Sequence, residues 1–253
     1  MTNVHDFTGQ TALVTGAASG IGAACARWLD AGGAGRLVLI DTDGDALEAL
    51  DLSCKTDRIV GSVADEALWQ RLDESHPEID LAIVNAGVGG AGTVADQTLE
   101  EWRRVMTVNL DGAFLTLGYA MRAMKRRGGG SAVVVASVTG LKAVAGIGAY
   151  GVAKAGVAHM ARIAALEGAA DGIRVNAVAP GGVDTAIWNG SPQFQAAVKE
   201  NGRDATLKAM AIGTPRGRFA TPDELAAQIG FLLSGAAANI TGEVMVTDGG
   251  YSL

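Results

Sequence analysis

The chain has 253 residues, of which 49% are hydrophobic and 19% charged, and it carries a net charge of −7. That length suffices for one large buried core, and an acidic balance without a basic stripe makes nucleic acid an unexpected partner. The 36 dispersed glycines lack a fibrous period, and the longest uncharged stretch, Leu225 to Gly242, is broken by Gln228, Ser234, Gly235 and Asn239, so no membrane span is expected.

In chain order, short β-branched runs alternate with helical patterns. "TALVT" (11–15) reads as a buried strand, followed by a helix from Gly20 to about Gly32. "RLVLID" (36–41) is a strand, and "DGDALEAL" opens a helix with acidic residues at its N-terminal end. "RIVGSV" (58–63) and "LAIVNAG" (81–87) are strands, with a helix around Glu66 to Glu74 between them. A long helix is expected from about Leu99 to Arg127, then the strand "SAVVVAS" (131–137), then a helix that contains "GIGAYGVAK" and runs to about Ala170. "IRVNAVAP" (173–180) is the sixth strand, Pro222 to Ser234 the last long helix and "EVMVTDGG" (243–250) the final strand. Seven strands alternating with helices predict a doubly wound parallel sheet covered on both faces, with a ligand crevice at the strand C-terminal ends. No linker or repeat divides the chain, so residues 1–253 are expected to form one domain. The stretch from about 185 to 215, with Trp188, Pro192, Phe194 and Met210, breaks the rhythm; it is either a mobile lid or a static helical excursion.

Isolated features carry little chemistry. Cys25 and Cys54 lack CxxC spacing, so reduced thiols are expected and neither a disulfide framework nor a metal site. His5, His76 and His159 stand alone, as surface or packing residues. Lys125, Arg126 and Arg127 before Gly128 read as cations at a helix C-terminus. "MTNVHDFTGQ" has no basic or apolar leader pattern, and a cytoplasmic location is the expectation.

The first strand runs straight into "TGAASGIG" (15–22). Gly16 permits a tight turn, Gly20 lets backbone approach a pyrophosphate, and Gly22 lets helix and strand pack closely, while the helix N-terminus offers N–H groups to phosphate. Asp41, about 20 residues on, ends the second strand, where a carboxylate can accept hydrogen bonds from an adenosine ribose. A 2′-phosphate there would meet like charge and lose roughly 1 kcal/mol or more. NAD(H) is therefore expected over NADP(H).

Tyr150 and Lys154, four residues apart, share one helix face. A free phenol titrates near ~10, too high for a base at neutral pH. A positive charge at ~4 Å with effective dielectric ~20 is worth ~4 kcal/mol, on the order of three pKa units, so Lys154 together with a nicotinamide is expected to bring Tyr150 near neutrality.

Taken together, Thr15-Gly16-xxx-Gly20-Ile21-Gly22, Asn85-Ala86-Gly87, Asn109 in "MTVNLDG", Ser137, Tyr150-xxx-Lys154, Pro180-Gly181 with Thr185, and Asp248-Gly249 resemble the short-chain dehydrogenase/reductase family in its single-domain form. The resemblance extends over essentially the whole chain and implies a Rossmann-type, three-layer α/β/α fold. It also implies a catalytic set of Asn109, Ser137, Tyr150 and Lys154. Tyr150 would exchange the proton of an alcohol and Ser137 would hydrogen-bond the substrate oxygen. Lys154 would also bind the nicotinamide ribose, and Asn109 would kink its helix to hold a relay water. By position, the cofactor would meet Gly16, Ser19, Gly20, Ile21 and Gly22, then Asp41, Ser62 and Val63, then Asn85, Ala86 and Gly87. On the nicotinamide side it would meet Tyr150, Lys154, Pro180, Gly181, Val183 and Thr185.

Two positions depart from the family pattern: Ser62 stands where an Asp is common, and Val84 precedes Asn85 in place of a second Asn. Both bear on cofactor affinity. The expected substrate pocket comprises Ser137, Thr139, Val144, Tyr150, Gly181 and Trp188, with Val88, Leu141, Gly182 and Ile187 around them. Its apolar character suits a neutral secondary alcohol or ketone, and Lys142 is the nearby cation that would reverse this. The alternatives are an NADPH-dependent 3-oxoacyl carrier-protein reductase, docking its carrier at the cluster ending in Arg127, and a non-catalytic NAD(H) sensor. Small residues along the Tyr150 helix permit close helix approach, and the resemblance implies a homotetramer, with a dimer as the alternative.

Overall fold

The computed structural model describes residues 6–253, so His5 lies outside the described residues. Seven parallel strands form one sheet in the order β3-β2-β1-β4-β5-β6-β7. They are β1 (Thr11–Thr15), β2 (Arg36–Asp41), β3 (Lys55–Val60), β4 (Leu81–Val84), β5 (Gly130–Val135), β6 (Ile173–Pro180) and β7 (Val244–Thr247). The chain winds outward from β1 to β3, then returns to the other side of β1 to begin β4. That reversal opens a crevice beyond the C-terminal ends of β1 and β4.

Strand periodicity divides the core into two layers. Leu13, Val38 and Ile40 face one side, where α3 (Glu66–Ser75), α5 (Gly112–Arg127) and α6 (Gly148–Gly168) bury Leu72, Leu117, Met124 and Val157. Ala12, Val14, Leu37 and Leu39 face the other, against α1 (Gly20–Ala31) and α9 (Pro222–Leu233) with Leu29, Ile229 and Leu232. Near-continuous apolar strands with alternating facing are what a sheet covered on both sides requires. Close approach of α1 and α9 depends on Gly230, where a Cβ would lie 2.3 Å from the Trp28 indole nitrogen.

Several boundaries differ from the sequence reading. The third strand covers 55–60 rather than 58–63, because its pairing register with β2 runs from Arg36↔Lys55 to Asp41↔Val60. The fourth stops at Val84 rather than 87, the fifth covers Gly130–Val135 rather than 131–137, and the seventh covers Val244–Thr247 rather than 243–250. At the C-terminal ends the excess residues turn into the crevice loops. The helix expected over 99–127 is three pieces: α4 (Leu99–Met106), a π-helical turn at Thr107–Asp111, and α5. α6 ends at Gly168, in a 3₁₀ turn at Ala169–Asp171. A short α2 (Gly44–Glu48) follows β2.

Residues 185–215 are mostly helical: a 3₁₀ turn at Ala186–Gly190, α7 (Pro192–Asn201), α8 (Arg203–Met210) and a 3₁₀ turn at Ala211–Gly213. Trp188 anchors it, stacking on Phe219 at 5.4 Å between ring centroids and donating its indole N–H to the Val183 carbonyl at 2.7 Å. Arg203 ties α8 back to the Asp184 carboxylate and the Thr185 carbonyl.

The basic run at the end of α5 makes exposed ion pairs within the chain: Lys125 pairs with Asp171, Arg126 with Asp73 and Arg127 with Asp80. Both cysteines are free thiols. No helix of the described residues is long and apolar enough to cross a membrane.

Candidate active site

The glycine turn after β1 adopts the backbone that its residues were expected to require. Gly16 and Gly20 have φ of +65° and +52°, in the left-handed region that disfavours a Cβ. At Gly22 a Cβ would sit 2.0 Å from the Gly16 carbonyl oxygen, so helix and turn are in van der Waals contact. Ser19 begins α1 without a side-chain cap, leaving the first-turn N–H groups to a ligand at the crevice. Asn85 braces the turn, its Nδ2 donating to the carbonyls of Thr15 at 2.9 Å and Gly16 at 3.2 Å. The Thr15 hydroxyl accepts from the N–H groups of Asn85 and Ala86. The bracing that Val84 cannot supply therefore comes from Asn85 and from Thr15, a residue the sequence reading did not single out as functional.

Asp41 sits at the lip of this turn. Its carboxylate accepts from the N–H of Ala18 at 2.9 Å and from those of Thr42 and Asp43, so it holds the glycine turn as well as presenting negative charge at the end of β2. Across the crevice, a Cβ at Gly20 would lie 3.1 Å from the Thr185 methyl, which puts Thr185 against the same turn. A glycine cradle, an uncapped helix N-terminus and a carboxylate one strand away fit a dinucleotide. Ser62 and Val63 lie beyond the end of β3. The Ser62 hydroxyl accepts from the Ala64 N–H at 3.2 Å, and Val63 is buried, its carbonyl taking the Trp69 indole N–H.

The four expected catalytic residues come from three segments. Asn109 is buried in the π-helical turn, its amide donating to the carbonyls of Val88 and Val105 and its oxygen accepting from the Val88 N–H. A Cβ at Gly87 would fall 2.6 Å from the Asn109 oxygen and 3.5 Å from Lys154 Nζ, so these polar groups flank one point beside β4. Ser137 caps a 3₁₀ turn at Val138–Gly140 and is hydrogen-bonded to Tyr150. The turn is pressed onto α6: a Cβ at Gly140 would meet the Lys154 backbone at 2.5 Å.

Lys154 is 4% exposed; it donates to the Val135 carbonyl at 2.8 Å and lies 5.7 Å from the Tyr150 ring centroid. Burial pulls its ammonium down to about 8. For Tyr150 the chain's own groups act in the other direction from that expected of Lys154 and a nicotinamide together. Burial pushes the phenol above its ordinary value, with the Ser137 hydrogen bond acting against it. The ammonium gives one of its three hydrogens to a backbone carbonyl, and burial is the largest influence on the phenol.

The other expected pocket residues differ in exposure. Leu141 and Ile187 are more than 40% exposed, and Trp188 is held by Val183 and Phe219. Lys142 donates to the Tyr251 carbonyl at 2.7 Å and sits over the Tyr251 ring, so it belongs to the C-terminal segment rather than to a free anion site. Gly182 meets Phe219 and Gly181 meets Asp248, closing the wall beyond β6.

Gln97 went unnoticed in sequence because nothing local marks it. α6 has no N-cap side chain of its own, and the Gln97 side-chain oxygen instead accepts from the Ala149 N–H at 3.0 Å, one residue before Tyr150.

Residues 16–252 match the family model described as enoyl-(acyl carrier protein) reductase. The chain belongs to the short-chain dehydrogenase/reductase family. It is 38% identical to cis-4-hydroxycyclohexanecarboxylate dehydrogenase of Sinomonas cyclohexanicum, over 97% of this chain and 98% of that one. Among solved structures, levodione reductase superposes with a TM-score of 0.87 at 33% identity, covering 97% of this chain and 98% of that one. L-sorbose reductase of Gluconobacter frateurii, complexed with NADPH and L-sorbose, gives a TM-score of 0.90 at 28% identity over 98% of both chains. These relatives are dehydrogenases and reductases of small alcohols and ketones, and family members bind a nicotinamide cofactor.

Proposed function

We propose that this short-chain dehydrogenase/reductase uses NAD(H) to interconvert a neutral, moderately hydrophobic secondary alcohol and its ketone, with Tyr150 as general base and acid. The observation that carries this reading is the meeting of Ser137, Tyr150 and Lys154 at a buried point beside the crevice headed by Asp41. When bound, the oxidised nicotinamide accepts hydride and brings a positive charge to the site. Ser137 orients the substrate oxygen. Tyr150 takes the alcohol proton in oxidation and returns it in reduction. Lys154 supplies a buried positive charge for the nicotinamide ribose and for the phenolate. Asn109 opens the helix at the π turn, where the relay water would sit, and Val183 and Thr185 would meet the nicotinamide side.

Asp41 supports NAD over NADP. Its carboxylate holds the glycine turn while facing the place of a 2′-phosphate, and like-charge repulsion of roughly 1 kcal/mol or more corresponds to at least about fivefold discrimination. The purified enzyme is therefore expected to have a kcat/KM for NAD at least about fivefold above that for NADP, and Asp41→Ser to erode the ratio. A wild type that prefers NADP would overturn the assignment and favour the carrier-protein reductase. A neutral substrate is supported by the engagement of Lys142 with Tyr251; the relative named above supports a cyclohexane-class ring but not the neutrality, because the compound in its name carries a carboxylate.

The enzyme is further proposed to be a cytoplasmic homotetramer. Phe114, Val152, Ile163 and Leu166 expose apolar surface on α5 and α6, Leu166 by 82%, and such a shared face is what a two-fold interface covers. Multi-angle light scattering is expected to return four times the 25.6 kDa chain mass; a monomer at micromolar concentration would sink the proposal.

A further inference from the structure

We infer that Thr139 is a positioning residue for the reaction proposed above: its hydroxyl sets the direction of the Ser137 hydrogen bond, so that Ser137 donates to Tyr150. Thr139 was expected to line the substrate pocket. Instead its hydroxyl lies 2.9 Å from the Ser137 oxygen and donates to it, while its N–H reaches the same oxygen at 3.2 Å. The turn that carries it is tightly held. The Thr139 carbonyl lies 3.3 Å from where a Cβ on Gly151 would be, and Gly140 rests on the Lys154 backbone.

The count of protons makes the direction obligatory. A serine hydroxyl has one hydrogen and two lone pairs. Two donations from Thr139 occupy both lone pairs, which leaves the Ser137 hydrogen for Tyr150 or the substrate oxygen. In the state that acts as a base, Tyr150 is a phenolate and can only accept. Before substrate binds, Ser137 must then give its hydrogen to Tyr150; with substrate bound it shares that hydrogen with the substrate oxygen, and in both states Thr139 must give its own to Ser137. The three oxygens form one polarised chain, Thr139 to Ser137 to Tyr150, in which each bond strengthens the next. With its hydrogen spent on Ser137, Thr139 has none to offer a ketone, which separates this role from substrate recognition. Among the described residues, the ammonium of Lys154 on the same helix is the charged group beside Tyr150. Lys142, which follows the Thr139 turn, is held by Tyr251, and no carboxylate or imidazole bears on the phenol.

The test is Thr139→Val, which keeps the branched shape and removes the hydroxyl, with Thr139→Ser as the conservative rescue. The Tyr150 phenol is titrated directly by NMR of the tyrosine ring carbon bearing oxygen, assigned with Tyr150→Phe, and the pH profile of kcat for alcohol oxidation is recorded alongside. One net hydrogen bond corresponds to about half to one pH unit. Thr139→Val is expected to raise the Tyr150 midpoint and the acidic limb of the profile by about that amount, with the ketone KM within about twofold and Thr139→Ser close to wild type. An unmoved midpoint overturns the assignment. So does a changed KM with an unchanged profile, or a Ser variant as displaced as Val. If the midpoint moves with Thr139 while Tyr150→Phe keeps full activity, the general-base reading fails and the hydrogen-bond chain stands.

Discussion

Tyr150→Phe is expected to lower kcat by about 10²- to 10⁴-fold, the range a general acid–base contributes, while NADH binding, followed by cofactor fluorescence, changes only a few-fold. The ring fills the same space, so packing on α6 is preserved. What is lost is the group proposed to exchange a proton with the substrate oxygen, and the Ser137 hydroxyl loses its phenolic partner as well. Because the reacting proton is the one removed, the defect should fall on kcat and kcat/KM alike and leave ground-state substrate binding nearly unchanged. Wild-type rates in this variant would mean that the residues bind a cofactor without running the reaction through Tyr150. Together with a wild type silent on every alcohol offered, that would favour the sensor reading.

The second large effect is a divergence between activity and stability at Lys154. Its ammonium is buried and makes a single backbone hydrogen bond, to Val135, and burial lowers it from 10.5 to about 8. That difference corresponds to roughly 3 kcal/mol spent on keeping the charge in place, at about 1.4 kcal/mol per unit. Lys154→Met fills similar space without charge and is expected to abolish turnover while raising the melting temperature by several degrees near pH 7.

The pH dependence identifies the cause. Below about 8 the group is protonated in both folded and unfolded chains, so the wild type bears the full penalty. Between about 8 and 10.5 the unfolded chain binds the extra proton, wild-type stability rises with pH on this account, and the advantage of Lys154→Met shrinks toward zero. Thermal melts of both proteins from pH 6 to 10 measure this directly. A variant less stable than wild type at pH 7, or an advantage that grows with pH, would contradict it.

Much of the site was legible from spacing. The glycines of 15–22, the strand ending at Asp41 and the four-residue step from Tyr150 to Lys154 are read within one turn or one strand, where backbone period alone sets which side chains lie together. The strand ends were less legible. The sequence "LAIVNAG" is uniformly compatible with extended chain, and only pairing with β1 and β5 decides that the ladder stops at Val84. The third strand slipped for the same reason, since "RIV" is apolar but the register begins at Lys55 against Arg36.

The sequence by itself determined the fold class, the order of elements and which groups are proposed to exchange a proton, because these follow from short-range periodicity and residue chemistry. Only the tertiary structure decided what those groups do to one another. Asp41 braces Ala18, Gln97 caps α6 from 52 positions away, and Lys142 is tied to Tyr251 across 109. It also showed that burial raises Tyr150 in the chain itself, and that the Thr139 hydroxyl donates to Ser137. The physical reason is the same throughout. Desolvation and hydrogen-bond saturation are sums over everything packed around a group, and most of that surrounding comes from chain far away in sequence.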